Sequence, residues 1–303
     1  MKAVKIAVSP FAFTHIRDIR IERGPNRHGS FWIRGDIPED MEAEYISRSS
    51  GAAPVTVTAQ DAAGNKRLLF CGILEDMRMK VLNGSKVMEI RVCSYSKMLD
   101  VKPGVTVFQN PDLAYDELVK ATLSPYEDAD AICACGAGKA IGRMYARYQE
   151  TDWAFLVRMA SSLQDVVVSH DLMHGIRLYF GFKAGSTYNS NSAPIDPIEY
   201  EVQKNVGGYV YKKENKVAQA TESNSICYVI KEREVRDIGD AVEFLGRPYR
   251  IAAIESFWEG RELVHRYTLA DPAGLKVPQS FNYVYFAMKS PSARSNKSTV
   301  TLK

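Results

Sequence analysis

The segment RYQETDWAFLVRMASSL, starting at Arg147, places two carboxylates two positions apart among arginines. Glu150 and Asp152 lie between Arg147 and Arg158, and Trp153 follows at once. Paired carboxylates cleave glycosidic bonds when one has a raised pKa and the two stand about 5–5.5 Å apart. The spacing therefore raises the hypothesis of a peptidoglycan hydrolase with Glu150 as its acid.

The pattern around these residues favours a structural role instead. TDWAFLVRMASSL has apolar residues at helical spacing, with Thr151 or Asp152 as the predicted N-cap. Carboxylates near a helix N-terminus face free N–H groups and the helix dipole, which lowers their pKa. We expect Glu150 and Asp152 to cap the helix or to pair with Arg147 or Arg158, and we expect no catalytic residue. The predicted buried face consists of Trp153, Phe155, Leu156 and Met159.

Two other segments contain residues that are typical of binding sites. Gly138–Lys139 lies in CACGAGKAIG, but Cys133 and Ala140 stand where a phosphate-binding loop needs Gly and Ser or Thr. No apolar strand is predicted before it, so we expect a surface loop.

His170 and His174 are four residues apart, a spacing that binds metal on a helix. Because the flanking DVVV and GIRLYFG predict strands and no third ligand is evident, we expect no metal or cofactor.

Charge and composition narrow the class of protein. The chain has 39 basic and 36 acidic side chains, which is too balanced for a nucleic-acid-binding protein, including a single-strand-binding barrel. Five irregularly spaced cysteines predict reduced thiols, because the C-x-C pair at Cys133 and Cys135 has no second pair. No apolar run approaches the roughly 18–20 residues of a membrane span. The first residues, MKAVKIAVSPFAF, predict a strand and not a signal peptide.

The elements that position these residues change in type along the chain. An Asn83–Gly84 turn between alternating apolar runs predicts a hairpin in the strand-rich first part. NPDLAYDELVKATL predicts a helix that is capped by Asp112 and stopped by Pro125. The polar segment 183–197 predicts a linker or long loop, and FNYVYFAMK predicts a last strand. The predicted domains are 1–102, 103–188 and 189–280, followed by a C-terminal strand and tail over 281–303.

The two strand-rich parts repeat one pattern weakly. Each runs from a strand through an acidic residue and a glycine turn to a second strand, so that Glu75 aligns with Glu255 and Gly84 with Gly260. The predicted fold class is mainly β (α+β), with two similar small β-barrel domains and an intervening α/β domain.

Three segments resemble one family. RYQETDWAFLVRMASSL closely resembles the Q-Y-x-E-T-D-W-x-F-L-x-R-L-A-S signature of phage tail hub proteins. VFQNPDLAYDELV resembles the segment that precedes this signature, and the LLFCGILEDMRM hairpin with its SYSKMLD ending resembles the barrel hairpin of those proteins. The family comprises baseplate hubs of contractile tails, the late-control-D group and the N-terminal half of VgrG spike proteins. The motif residues are Gln149, Glu150, Thr151, Asp152, Trp153, Phe155, Leu156 and Arg158.

The resemblance implies a non-enzymatic assembly part. Family members form homotrimers whose six barrels match the six-fold tail tube on one side and carry the three-fold spike on the other. The implied partners are the tail tube protein, the spike protein, the tape-measure protein and baseplate wedge proteins, without a membrane or a specific nucleic acid. The implied location is the cytoplasm during assembly and then the tail or injection particle. VgrG-type spikes continue into further domains, so a chain ending at Lys303 implies a separate needle protein or a fragment.

The end of the chain is predicted to dock the spike. Residues 289–303 hold four cations and no carboxylate, and Val300 and Leu302 alternate with polar residues, as in a strand added to a partner's sheet edge. Deleting residues 290–303 should spare folding and trimer formation but weaken recovery of the spike protein in a pull-down. Equal recovery by truncated and full-length chains would make the segment an ordinary frayed terminus.

Overall fold

A computed structural model describes residues 5–49, 53–61, 63–82, 84–183, 185, 195, 197–260 and 262–282. The chain is 45% strand and 19% helix, so the mainly-β prediction is confirmed. The helices are α1 Glu42–Arg48, α2 Tyr115–Leu123, α3 Asp152–Ser162 and α4 Val206–Glu214. The strands are β1 Lys5–Ser9, β2 His15–Arg23, β3 Ser30–Asp36, β4 Pro54–Gln60, β5 Lys66–Leu82, β6 Ser85–Cys93, β7 Gly104–Phe108, β8 Ala129–Cys133, β9 Tyr145–Glu150, β10 Val167–Ser169, β11 Ile176–Phe180, β12 Glu199–Lys204, β13 Ile226–Glu232, β14 Ala241–Phe244, β15 Arg247–Glu259 and β16 Glu262–Ala270.

One antiparallel sheet joins the two strand-rich halves of the chain. The first half has the order β4-β5-β6-β3-β2, with β1 added beside β4, and the second half has the order β14-β15-β16-β13-β12. Pairing of β2 with β15 connects the halves. Within the described ranges the ladder ends at β1 and β12, so two closed barrels stay a prediction.

The repeat is present in the topology, but its register differs from the predicted alignment. In the β5–β6 hairpin Glu75 is the extra residue of a bulge, and in the β15–β16 hairpin Ala252 is the extra residue. Superposing the two hairpins therefore places Glu75 against Ala252 and not against Glu255. The predicted match was wrong because it aligned like side chains, whereas bulges set the register of a sheet.

Local sequence explains the β5–β6 hairpin and the start of α2. The predicted hairpin forms, with Leu82 opposite Ser85 and Gly84 at a positive φ of 80°. The predicted α2 helix forms, but Asp112 lies outside it and Ala114 is the N-cap. The Glu117 carboxylate accepts a hydrogen bond from the Ala114 N–H at 3.1 Å, so the helix is capped without a side-chain acceptor at the N-cap itself.

Three apolar clusters form the interior, and two of them cross between parts of the chain. The first fills the β1–β6 half but includes Leu263 from β16. The second packs α2 and α3 against β8, β10 and β11. The third fills the second half but includes Val166 and Val168 from the middle part. The three parts therefore share apolar surface, and the boundaries at 102 and 188 stay a prediction. Among the described helices, none has the length and apolar character that a bilayer crossing demands.

A buried ion network lies where the three parts meet. Arg23 at the end of β2 donates to the Asp171 carboxylate at 2.8 Å and to the Leu69 carbonyl. Asp237, which precedes β14, lies 3.8 Å from Arg23 and 2.6 Å from the Lys183 Nζ. Burial raises the pKa of Asp171 against the effect of Arg23. Burial acts on Asp237 in the same direction, but Lys183 and Arg23 outweigh it and the pKa of Asp237 is lowered.

Arg23→Ala should lower the free energy of unfolding by about 3–5 kcal/mol, because it leaves the Asp171 carboxylate buried without its cation. Arg17→Ala is the matched control. Arg17 pairs with Asp36 at 2.7 Å but its side chain is 38% exposed, so its loss should cost about 0–1 kcal/mol. Urea denaturation of both variants measures the difference, and equal losses would contradict a structural role for the network.

Candidate functional site

The segment 145–164 folds as a strand, a cap and a helix. Tyr145–Glu150 forms β9, Thr151 is the N-cap, and α3 begins at Asp152. The Thr151 hydroxyl accepts a hydrogen bond from the Ala154 N–H at 3.2 Å and donates one to Asp100 at 2.6 Å. This cap therefore fixes the start of α3. Through Asp100 it also connects α3 to the segment that follows the β5–β6 hairpin.

Two ion pairs connect β9 to α3. Arg158 on the helix holds Glu150 on the strand with both prongs of its guanidinium, at 2.9 and 2.8 Å, and both side chains are 11% exposed. Arg147 on the strand pairs with Asp152 on the helix. Asp152 also accepts a hydrogen bond from the Tyr126 hydroxyl at 2.6 Å. The four charged residues of the predicted acid–base cluster thus form two separate cross-links.

The apolar side of α3 joins the middle part to the first half. Trp153 is 6% exposed and packs on the His28 ring, with 4.3 Å between the ring centroids. Phe155 stacks on Phe108 at 5.5 Å. Leu156 and Met159 are fully buried, as is Phe155, whereas Gln149 is exposed and has a φ of 49°. Burial lowers the pKa of His28, although the Asp100 carboxylate, 3.5 Å from Nε2, acts in the opposite direction.

This arrangement is suited to holding elements together. Both oxygens of Glu150 accept hydrogen bonds from Arg158, and Asn282 lies 3.4 Å from one of them. A carboxylate whose two oxygens both accept hydrogen bonds from one guanidinium is placed as an ion-pair partner, whereas an acid catalyst must present its carboxyl group to a substrate. The geometry therefore favours the structural interpretation of Glu150 over the hydrolytic one.

The two histidines of SHDLMHG do not face a common centre. His174 Nδ1 lies 3.1 Å from the Tyr95 hydroxyl and 3.6 Å from the Cys71 sulfur. His170 instead contacts the Tyr179 ring. The predicted strands β10 and β11 flank them, which removes the helical spacing that a metal pair needs. Where side chains are described, no three His, Cys, Asp or Glu residues converge as a metal site.

The Gly138–Lys139 loop differs from expectation in one respect. The strand β8 ends at Cys133, directly before the loop, although no strand was predicted there. Its alternating exposure explains why the sequence lacks a continuous apolar run. The Gly138 N–H donates to the Asp116 carboxylate at 2.9 Å, and the Lys139 carbonyl accepts from the Tyr115 N–H at 3.0 Å. The Gly138 N–H, which could otherwise donate a hydrogen bond to a phosphate, is therefore already bound to the Asp116 carboxylate.

A polar groove of about 710 Å³ crosses the second half of the sheet and was not predicted. It lies between β2 and β12, and its charged lining is Glu22, Arg27, Glu199, Glu201, Lys231, Glu255 and Arg266. Polar residues at every second position of EYEVQK, namely Glu199, Glu201 and Gln203, are the local signal for such a face. The opposite wall of the groove comes from β2, which is far away in the sequence. The predicted docking residues Val300 and Leu302, and most of FNYVYFAMK, lie outside the described residues.

Trp153→Ala should lower the free energy of unfolding by about 3–5 kcal/mol, because it removes a large buried ring between two parts of the chain. Gln149→Ala is the control, since an exposed side chain contributes within about 0.5 kcal/mol. Thermal or urea unfolding measures both, and similar losses would show that Trp153 is not a packing anchor.

Glu150→Gln should leave any lysis of peptidoglycan in a zymogram unchanged from the unmodified chain. A stable variant that abolishes measurable lysis would identify Glu150 as an acid catalyst and overturn the structural interpretation.

Comparison with solved structures places this fold among tail proteins. The 43 kDa tail protein of prophage MuSo2 from Shewanella oneidensis superposes with a TM-score of 0.64, at 11% identity, over 93% of this chain and 100% of its own length. The tail protein from Neisseria meningitidis MC58 gives 0.63 at 11% identity, covering 91% and 99%. The E. coli c3393 protein gives 0.63 at 11% identity, covering 91% and 79%.

The E. coli protein is described as a type VI secretion component with structural similarity to the T4 bacteriophage tail proteins gp27 and gp5. No protein-family model matches the sequence, and no curated protein matches it either. Identity this low shows a shared fold, so the chain has the fold of phage tail proteins and of a type VI secretion component similar to them.

Proposed function

We propose that the chain is the structural baseplate hub of a contractile phage tail or a related injection particle. In this role it is a trimeric symmetry adapter between a six-fold tail tube and a three-fold spike. The observation that supports this proposal is a repeated strand order. The order β4-β5-β6-β3-β2 of the first half recurs as β14-β15-β16-β13-β12 in the second. Each chain thus contributes two similar β units, so three chains supply six.

The domain assignment of the proposal follows from this repeat. Residues 1–102 and 189–280 are the two tube domains, 103–188 is the mixed domain between them, and 281–303 is the C-terminal strand and tail. A symmetry adapter needs its two units in a fixed relation, because six similar surfaces must match one tube. The Arg23 network and the β2–β15 pairing supply such a fixed relation.

The proposed partners are copies of this chain, the tail tube protein and the spike protein, with tape-measure and wedge proteins as further baseplate contacts. The proposed location is the cytoplasm during assembly and then the tail. A non-enzymatic role is supported by the use of Glu150, Asp152, Arg147 and Arg158 as cross-links. The tail proteins that share the fold support the same role.

Light scattering at micromolar concentration should give a particle of about three times the 33.9 kDa chain mass, because closed rings of like subunits are the usual oligomers. Native mass spectrometry after co-expression with the tube protein gives the number of copies when isolated chains assemble weakly. Two or four copies by both measurements would contradict the adapter.

A further inference from the structure

We infer that β12 of one copy pairs with the free edge of β5 in the next copy, and that this contact repeats between chains the β2–β15 pairing seen within one chain. The inference rests on the proposed function, since it specifies how copies of a ring-forming hub meet. The inference specifies which two strands pair and in which register. The number of copies in the ring does not determine either.

The repeated strand order identifies the equivalent strands. In the first half, β5 is the long strand of the hairpin, and β2 lies two places beyond the hairpin in the sheet. In the second half, the corresponding strands are β15 and β12. The connection inside the chain joins β2 of the first repeat to β15 of the second. The same connection applied once more joins β12 of the second repeat to β5 of another copy.

The edge of β5 is open where this connection requires it. On β15, the edge opposite β16 is shared by β14, which covers Arg247–Arg250, and by β2, which covers Ile254–Phe257 beyond the bulge. On β5, the edge opposite β6 is covered by β4 over Lys66–Ile73. Beyond the bulge, residues 76–82 pair with β6 alone in the described part of the chain.

The register follows from the two bulges and the pairings of β2 and β12. Glu22 faces Ser30 in β3, and Gln203 occupies the same position against Cys227 in β13. Glu22 also pairs with Glu255 of β15, whose equivalent in β5 is Arg78. The resulting pairs between copies are Lys204 with Met77, Gln203 with Arg78, Val202 with Met79, Glu201 with Lys80, and Tyr200 with Val81.

The side chains in this register are complementary. Glu201 meets Lys80 on one face, and on the other face Val202 meets Met79 and Tyr200 meets Val81. Three of these apolar side chains are exposed in the single chain, at 54% for Val202, 53% for Tyr200 and 68% for Val81. Burying apolar side chains opposite each other and pairing opposite charges both stabilise neighbouring strands. The contact therefore accounts for exposed apolar residues on two distant strands at once.

The equivalence with the β2–β15 pairing selects this register, because a shift by two residues would still place Glu201 opposite Arg78 and Tyr200 opposite Met79. A shift by a single residue loses the match. A shift by one residue places Tyr200 opposite Lys80 and Val202 opposite Arg78, so that apolar side chains meet cations. An uncovered strand edge is also a site of uncontrolled pairing, which natural proteins block or cover. Because β12 and β5 are unlike surfaces, the contact is head-to-tail, and such contacts close into rings when the rotation allows it.

The test uses charge reversal in the full-length chain. Glu201→Lys and Lys80→Glu should each weaken association of the copies about tenfold or more, because the loss recurs at every contact of the ring. The double variant, with both reversals, should restore association. Glu214→Lys is the matched control, since it makes the same charge change at an exposed position at the end of α4. Sedimentation velocity gives the fraction of assembled chain, and circular dichroism shows that each variant is folded.

The outcomes separate this inference from the proposed function. Assembly of the unmodified chain as a trimer, lost in each single reversal and restored in the double, supports the strand contact. A trimer that survives both single reversals overturns the contact and leaves the hub proposal standing, as does a loss that the double reversal fails to restore. An unmodified chain that forms no trimer, alone or with the tube protein, overturns the hub proposal itself.

Discussion

The buried guanidinium of Arg23 is the constraint on which the arrangement of this chain depends. A cation in the interior must be matched by anions, and its partners Asp171 and Asp237 come from the middle part and the second half. The ion pairs therefore form only when all three parts are in place. Gly29 belongs to the same constraint, because a Cβ at this position would collide with the Asp171 carboxylate. A small residue is required there for the parts to approach.

At this junction the two halves of the sheet are also joined directly to each other. Pairing of β2 with β15 continues one ladder from the first half to the second, and Leu263 enters the apolar cluster of the other half. A fixed relation between two similar units is what the proposed role as a symmetry adapter requires. In the described residues β12 and the end of β5 each have one free edge, and an edge is the part of a sheet that associates most readily with another chain.

Residues that resemble an active site serve this rigidity. Glu150 and Asp152 are acids with nearby arginines, but the strand–helix geometry assigns each acid its own cation across the β9–α3 corner. Asp116 likewise occupies the amide of the glycine loop. Charged residues that lie near each other in a sequence are therefore a poor indication of catalysis until their partners are known. A pair in which each charge has its own partner acts as a cross-link between the elements that carry it.

The sequence by itself determined the local elements: the hairpin at Asn83–Gly84, the helix after Thr151 with its buried Trp153, and the mainly-β class. These follow from turn chemistry, capping and apolar periodicity, which act over a few residues. Only the tertiary structure decided the β2–β15 pairing, the register of the repeat and the Arg23–Asp171 bond, whose partners are 148 residues apart. No local pattern specifies such contacts, because the sequence around an arginine does not reveal whether it is buried or which acid it pairs with. Their energy depends on desolvation by elements that meet only in the folded chain.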